Sequence, residues 1–101
     1  MWQWIPSIVA GKTYTFTGYV DIPSSSVINN FNIEVSWWGD GGTALISTDS
    51  VNTYNTSTNG VWDYVITNVT APPGTQSATV RMIITGLQGQ IYIDDFSFQP
   101  Q

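Results

Sequence analysis

The chain has 101 residues, of which only nine are charged; Lys12 and Arg81 are the sole bases, and the formal net charge is −5. That length suits one domain with a modest core, and the five Trp, five Tyr and four Phe set it apart from a disordered segment, which needs low hydrophobicity and high charge. Two bases cannot form the cationic patch that nucleic acid or an anionic membrane requires, and the absence of Cys and His removes disulfides, thiolate and imidazole metal sites, and His-activated nucleophiles.

The chain opens with the aromatic segment Met1-Trp2-Gln3-Trp4-Ile5, which has neither a basic start nor a sustained apolar run, so no signal peptide is expected. Lys12–Ile22 then alternates, with Tyr14, Phe16, Val20 and Ile22 on one face and Thr13, Thr15, Thr17, Tyr19 and Asp21 on the other. Pro23–Ser26 breaks the pattern. Phe31–Trp38 resumes it, with Phe31, Ile33, Val35 and Trp37 opposing Asn32, Glu34, Ser36 and Trp38. Gly39-Asp40-Gly41-Gly42 tolerates positive φ and reads as a hairpin into the strand Ala44–Ser50. Val61–Val69 puts Trp62, Tyr64 and Ile66 on one face, and Trp37 and Trp62 are assigned to the core. After Pro72-Pro73-Gly74, Ser77–Thr85 turns Ala78, Val80, Met82 and Ile84 inward, and Gln90–Phe98 closes the chain with Ile91 and Ile93 inward. Six alternating, β-branched and aromatic segments divided by Gly/Pro turns predict an all-β fold. The expected architecture is an antiparallel β-sandwich, in one domain spanning residues 1–101.

Three stretches carry a resemblance. Ala10–Val20 (AGKTYTFTGYV) is similar to the "pGktYtfsayv" strand of jelly-roll carbohydrate-binding modules of the family 4/9 and 16 type. Trp62 followed by Val69-Thr70-Ala71-Pro72 resembles their "W…vtaP" segment, and Gln90–Phe98 (QIYIDDFSF) resembles their closing "vyiDDvsl" strand. The resemblance covers the later part of such a module; the opening strands, with their "N-x-G-F-E"-like stretch, have no counterpart, so the jelly roll is expected to be incomplete. In the family a structural calcium joins a C-terminal Asp to those opening strands. Asp94 and Asp95 are therefore the residues the resemblance offers to calcium, although that ion takes six to eight oxygens and most of its shell would be missing. No other cofactor is expected.

The resemblance implies a non-catalytic module that binds a polysaccharide or glycan, in an extracellular or surface protein. Sugar sites pair aromatic ring faces with hydrogen-bonding side chains. Alternation puts Tyr19, Trp38 and Tyr92 on polar faces, Trp2 and Trp4 sit on a segment able to fold over, and Glu34 and Arg81 are polar partners; Tyr19, Glu34, Trp38, Arg81 and Tyr92 form the candidate site. Glycoside hydrolysis needs two carboxyl groups flanking the bond. The adjacent Asp94 and Asp95 point to opposite faces of a regular strand, and no other pair is singled out, so no catalytic residue is assigned. The second reading is a structural subunit of a filament, coat or viral fibre. Missing strands leave edges unpaired, and the aromatic N-terminus is then expected to help subunits associate.

Overall fold

The structure is a computed structural model and describes residues 2–101. Met1 and the ring of Trp2, both part of the expected aromatic N-terminus, lie outside the described features. Seven strands are present: β1 (Trp2–Ile5), β2 (Thr13–Asp21), β3 (Asn30–Gly39), β4 (Ala44–Tyr54), β5 (Asp63–Thr70), β6 (Ser77–Thr85) and β7 (Tyr92–Pro100). They form two antiparallel sheets, one in the order β1-β6-β3-β4 and one in the order β5-β2-β7. Only β3 and β4 are sequential neighbours within a sheet. Every other connection crosses from one sheet to the other, which gives the sandwich its interleaved, jelly-roll-like path. Among the described residues, no helix is long and apolar enough to cross a membrane.

The alternation of β2 and β3 is the basis of the core. Phe16, Val20 and Ile22 from one sheet meet Phe31, Ile33, Val35 and Trp37 from the other, and all seven are essentially inaccessible. Tyr14 stacks on Phe98 with ring centroids 5.4 Å apart, and its hydroxyl accepts the backbone N–H of Val9 at 2.8 Å. The Trp37 indole N–H is not stranded by burial, because it donates to Asp49 Oδ2 at 2.7 Å. A buried indole generally needs such a partner.

Four local readings are corrected. The aromatic N-terminus includes a seventh strand, β1, which pairs with β6 of its own chain from Trp2↔Arg81 to Ile5↔Ala78. Trp62 is not in the core and is 48% exposed. Val65 and Val69 take the inward positions of β5, opposite Gly18 and Tyr14, which sends Tyr64 and Ile66 outward. Ile84 is 43% exposed, because β1 ends opposite Arg81 and Met82–Thr85 has no strand on that side among the described residues. Finally, Asp94 and Asp95 are not on a regular strand. Thr17 pairs with Ser97 but Tyr19 pairs with Asp94, so Asp95 and Phe96 oppose Gly18 alone. This is a β-bulge, with Asp95 at φ 52°. Phe96 drops onto Gly18, where a Cβ would lie 2.2 Å from its ring, and meets Phe16 edge-on at 5.1 Å.

Two side-chain hydrogen bonds join the sheets at the β4–β5 border, one of them from the Thr67 hydroxyl to the Val51 carbonyl at 3.2 Å. The Tyr54 hydroxyl donates to Asp63 Oδ2 at 2.5 Å. Burial, and then the hydrogen bond and charge of Asp63, push the Tyr54 pKa above the ordinary tyrosine range. A raised folded pKa means that this contribution to stability is complete below the unfolded value of about 10 and is lost as pH rises beyond it. The stability difference between the native chain and Tyr54→Phe is therefore expected to be constant up to about pH 10 and to shrink above it. Urea unfolding at a series of pH values measures this; a difference that stays constant into strong alkali would refute it.

Candidate functional site

The outer face of the four-stranded sheet holds a groove of about 410 Å³ lined by Trp4, Trp38, Gly42, Thr79 and Arg81. Its position follows from strand register. Even-numbered residues of β3 face outward because the odd ones fill the core. Glu34 lies directly opposite Arg81, Ser36 opposite Thr79, and Trp38 opposite Ser77. On the other side of β6, Trp4 lies opposite Thr79. Two indoles therefore come over the same stretch of β6 from neighbouring strands, and Thr79, although outward, is only 7% exposed.

Both rings are held in place. The Trp38 indole N–H donates to Thr79 Oγ1 at 3.1 Å, so the ring reaches across β6. Trp4 lies over the turn that follows β3. Asp40, Gly41 and Gly42 all have positive φ there, and a Cβ on Gly42 would come within 2.3 Å of the Trp4 ring. Glycine at 42 thus serves both the turn and the seat of the indole. Gln76 ties the turn down: its Oε1 accepts the Gly41 N–H at 2.8 Å, and its own N–H donates to the Trp38 carbonyl at 2.8 Å.

The polar side of the groove is a network across three strands. Ser50 Oγ and Thr53 Oγ1 of β4 donate to Asn32 Oδ1 at 3.0 and 2.9 Å. Asn32 Nδ2 donates to Glu34 Oε2 at 2.8 Å, which leaves Glu34 Oε1 3.9 Å from Arg81 Nη1. A pair this long and this open to water adds little stability, about 0–1 kcal/mol. It keeps hydrogen-bonding capacity free: a guanidinium donates and a carboxylate accepts, side by side, next to two ring faces.

The five candidate residues do not converge. Trp38 and Arg81 line this groove and Glu34 lies on the same face opposite Arg81, whereas Tyr19 and Tyr92 project from the outer face of β5-β2-β7 on the opposite side of the sandwich. Sequence reading did not single out Asn32, Ser50, Thr53 or Thr79. Their signal is present as polar residues on the outward register of β3, β4 and β6, but it is visible only once pairing is known. Asp94 and Asp95 are both exposed. Asp94 Oδ1 accepts the backbone N–H of Asp95 at 2.9 Å, so the carboxylate that caps the bulge is that of Asp94. Two carboxylates, one of them engaged, fall well short of a calcium shell, and among the described residues no three acidic, His or Cys side chains converge. The residues present do not fit calcium.

A second concavity lies at the open side of the sandwich. A cleft of about 470 Å³ runs between β1 and β7, with Phe16, Val80, Met82, Phe96 and Phe98 among its walls. β1 and β7 are edge strands of different sheets, so the cleft is bordered by two free strand edges.

No protein-family model and no curated protein sequence matches the chain. Among solved structures, the fold is similar to one described as "CBM4 structure and function", with a TM-score of 0.69 over 99% of this chain at 20% sequence identity. The likeness establishes the fold. The jelly-roll fold that the Ala10–Val20 and Gln90–Phe98 stretches imply is thus the fold that the chain shares with that structure. The chain spans 59% of the length of that structure.

Proposed function

We propose that the chain is a non-catalytic carbohydrate-binding domain of an extracellular or surface protein, and that a glycan lies in the Trp4–Trp38 groove. The observation that carries this reading is the groove's composition: two indoles packed on Thr79 and Gly42, beside an Arg81 guanidinium that faces Glu34 at 3.9 Å and keeps donors free. Indole faces suit the apolar C–H faces of a pyranose, and Arg81 with Glu34 can donate to and accept from neighbouring hydroxyls. The CBM4 likeness supports it.

Titration calorimetry with a panel of neutral and acidic oligosaccharides tests it. Trp38→Ala is expected to weaken binding by about 1–3 kcal/mol, by analogy with bases stacked on aromatic platforms, and to leave the far-UV circular dichroism unchanged. Unaltered affinity in Trp38→Ala would remove the groove from the site, and turnover of any glycan by the pure chain would overturn the non-catalytic reading.

The cleft favours a second reading, in which copies of this chain assemble through their edges. Free N–H and C=O groups on β1 and β7, bordering apolar walls, invite strand pairing. A dimer or larger assembly is expected in light scattering, and removal of residues 1–5 is expected to change its mass, since β1 forms one lip of the cleft. A monomer at high concentration, unaffected by that truncation, would eliminate assembly.

A further inference from the structure

The outer face of the three-stranded sheet carries a second aromatic surface that the groove does not use. Tyr64 of β5, Tyr19 of β2 and Asp94 of β7 form one row across the sheet, and in the next row Asp21 of β2 faces Tyr92 of β7. The Tyr19 and Tyr64 rings lie 4.9 Å apart, tilted by 42°. Trp62, one residue before β5, adds an exposed ring at the same end of the strand, and these four aromatics are 38–49% exposed. Further along, the face changes character to hydroxyls and an amide: Thr15 donates to Asn68 at 2.8 Å, and Thr13 and Thr70 bond at 2.9 Å.

Charge narrows the ligand. The charged outward residues of these strands are Asp21 and Asp94, and Asp95 adds a carboxylate at the bulge. Lys12 precedes the opposite end of β2, and Arg81 is on the other sheet. One oxygen of Asp21 is buried without a hydrogen-bond donor, so Asp21 adds negative charge beneath the face rather than an accessible acceptor. An acidic aromatic face repels uronic acids, phosphates and anionic lipid. It suits a ligand that brings hydroxyl donors, apolar faces and no negative charge.

We infer that this face binds a second, neutral polysaccharide chain, so that one domain bridges two glycan chains from opposite sides of the sandwich. The inference rests on the glycan reading of the groove for its ligand class, but not on the groove itself.

The test is calorimetry on the full chain with cellohexaose, xylohexaose, mannohexaose and laminarihexaose. The variants are Tyr19→Ala/Tyr64→Ala, Tyr92→Ala and Trp38→Ala, each checked for folding by circular dichroism. Two sugars per chain are expected for the native protein. Tyr19→Ala/Tyr64→Ala should lower this to one, Tyr92→Ala should weaken the second site about tenfold, and Trp38→Ala should leave the second site intact. If the double variant fails to fold, Tyr92→Ala decides alone. Binding that responds to the tyrosine changes but not to Trp38→Ala overturns the groove and upholds this face. One sugar per chain, insensitive to all the tyrosine changes, overturns this face and leaves the groove standing. A concentration-dependent dimer abolished by the tyrosine changes assigns the face to a second copy and overturns the proposal, and binding of none of the four neutral sugars overturns this face, leaving the groove to be decided by the acidic members of its own panel.

Discussion

Replacing Trp37 with alanine is expected to cost about 3–5 kcal/mol, the range for a fully buried aromatic. Trp37 is wholly inaccessible and contacts both sheets, its ring lying 6.3 Å from Tyr14 and 6.2 Å from Phe98. The loss is comparable with the whole stability of many small domains, about 5–15 kcal/mol. At about 4–8 °C per kcal/mol for a domain of this size, the melting temperature should fall by roughly 12–40 °C. Trp37→Phe separates the two contributions: it keeps most of the packing but leaves Asp49 without its indole donor. Its cost should be smaller, about 1–3 kcal/mol. Chemical denaturation measures both, and a loss below about 1 kcal/mol for Trp37→Ala would mean that the core can close without this ring.

Removing both indoles of the groove is expected to have the largest effect on binding. Trp4→Ala/Trp38→Ala should lower glycan affinity at least a hundredfold, about 2.7 kcal/mol. The two rings lie over the same segment of β6, so their effects on one ligand need not add. The cost in stability should stay well below that of Trp37→Ala, because both side chains lie on the outer face. Calorimetry at millimolar sugar, paired with urea unfolding, distinguishes the two quantities. Affinity within threefold of the native value would exclude the groove as the glycan site.

The pair Trp37-Trp38 shows why much of the fold was legible in the sequence. On a strand, adjacent side chains face opposite ways, so one ring had to be core and the other surface; the flanking Ile33 and Val35 identify Trp37 as the inner one. β2 was legible for the same reason. β5 was not, because Trp62-Asp63-Tyr64-Val65-Ile66 offers bulky apolar residues on both registers. Its face is decided by register: Val65 and Val69 pair with Gly18 and Tyr14 on the inward positions of β2, whereas Tyr64 pairs with the outward Tyr19. β1 escaped notice because four residues are too few for a period to stand out, and its pairing partner β6 lies more than seventy residues away in sequence. The candidate site was legible in kind but not in place. Alternation marks which residues face outward, but not which of the two outer surfaces each belongs to, and sheet membership depends on crossovers that no local pattern records. Trp38, Glu34 and Arg81 therefore meet, while Tyr19 and Tyr92 stand on the far side.

The bulge in β7 changes how tolerant that strand is of changes in length. Losing or gaining one residue in a strand reverses the facing of everything beyond it. In β7, Ile93 faces inward and Asp94 outward; past Asp95, Phe96 is inward and Ser97 outward. Asp95 is supernumerary: excising it would bring Asp94 and Phe96 into direct succession, restore unbroken alternation, and place Phe96 opposite Gly18 between the existing Tyr19–Asp94 and Thr17–Ser97 pairs. Excision of Phe96 or Ser97 would instead rotate the remaining residues of the strand, turning the Phe98 ring away from Phe16 and into water. Length variation in this edge strand therefore has one permissive point, and it coincides with the left-handed aspartate at 95.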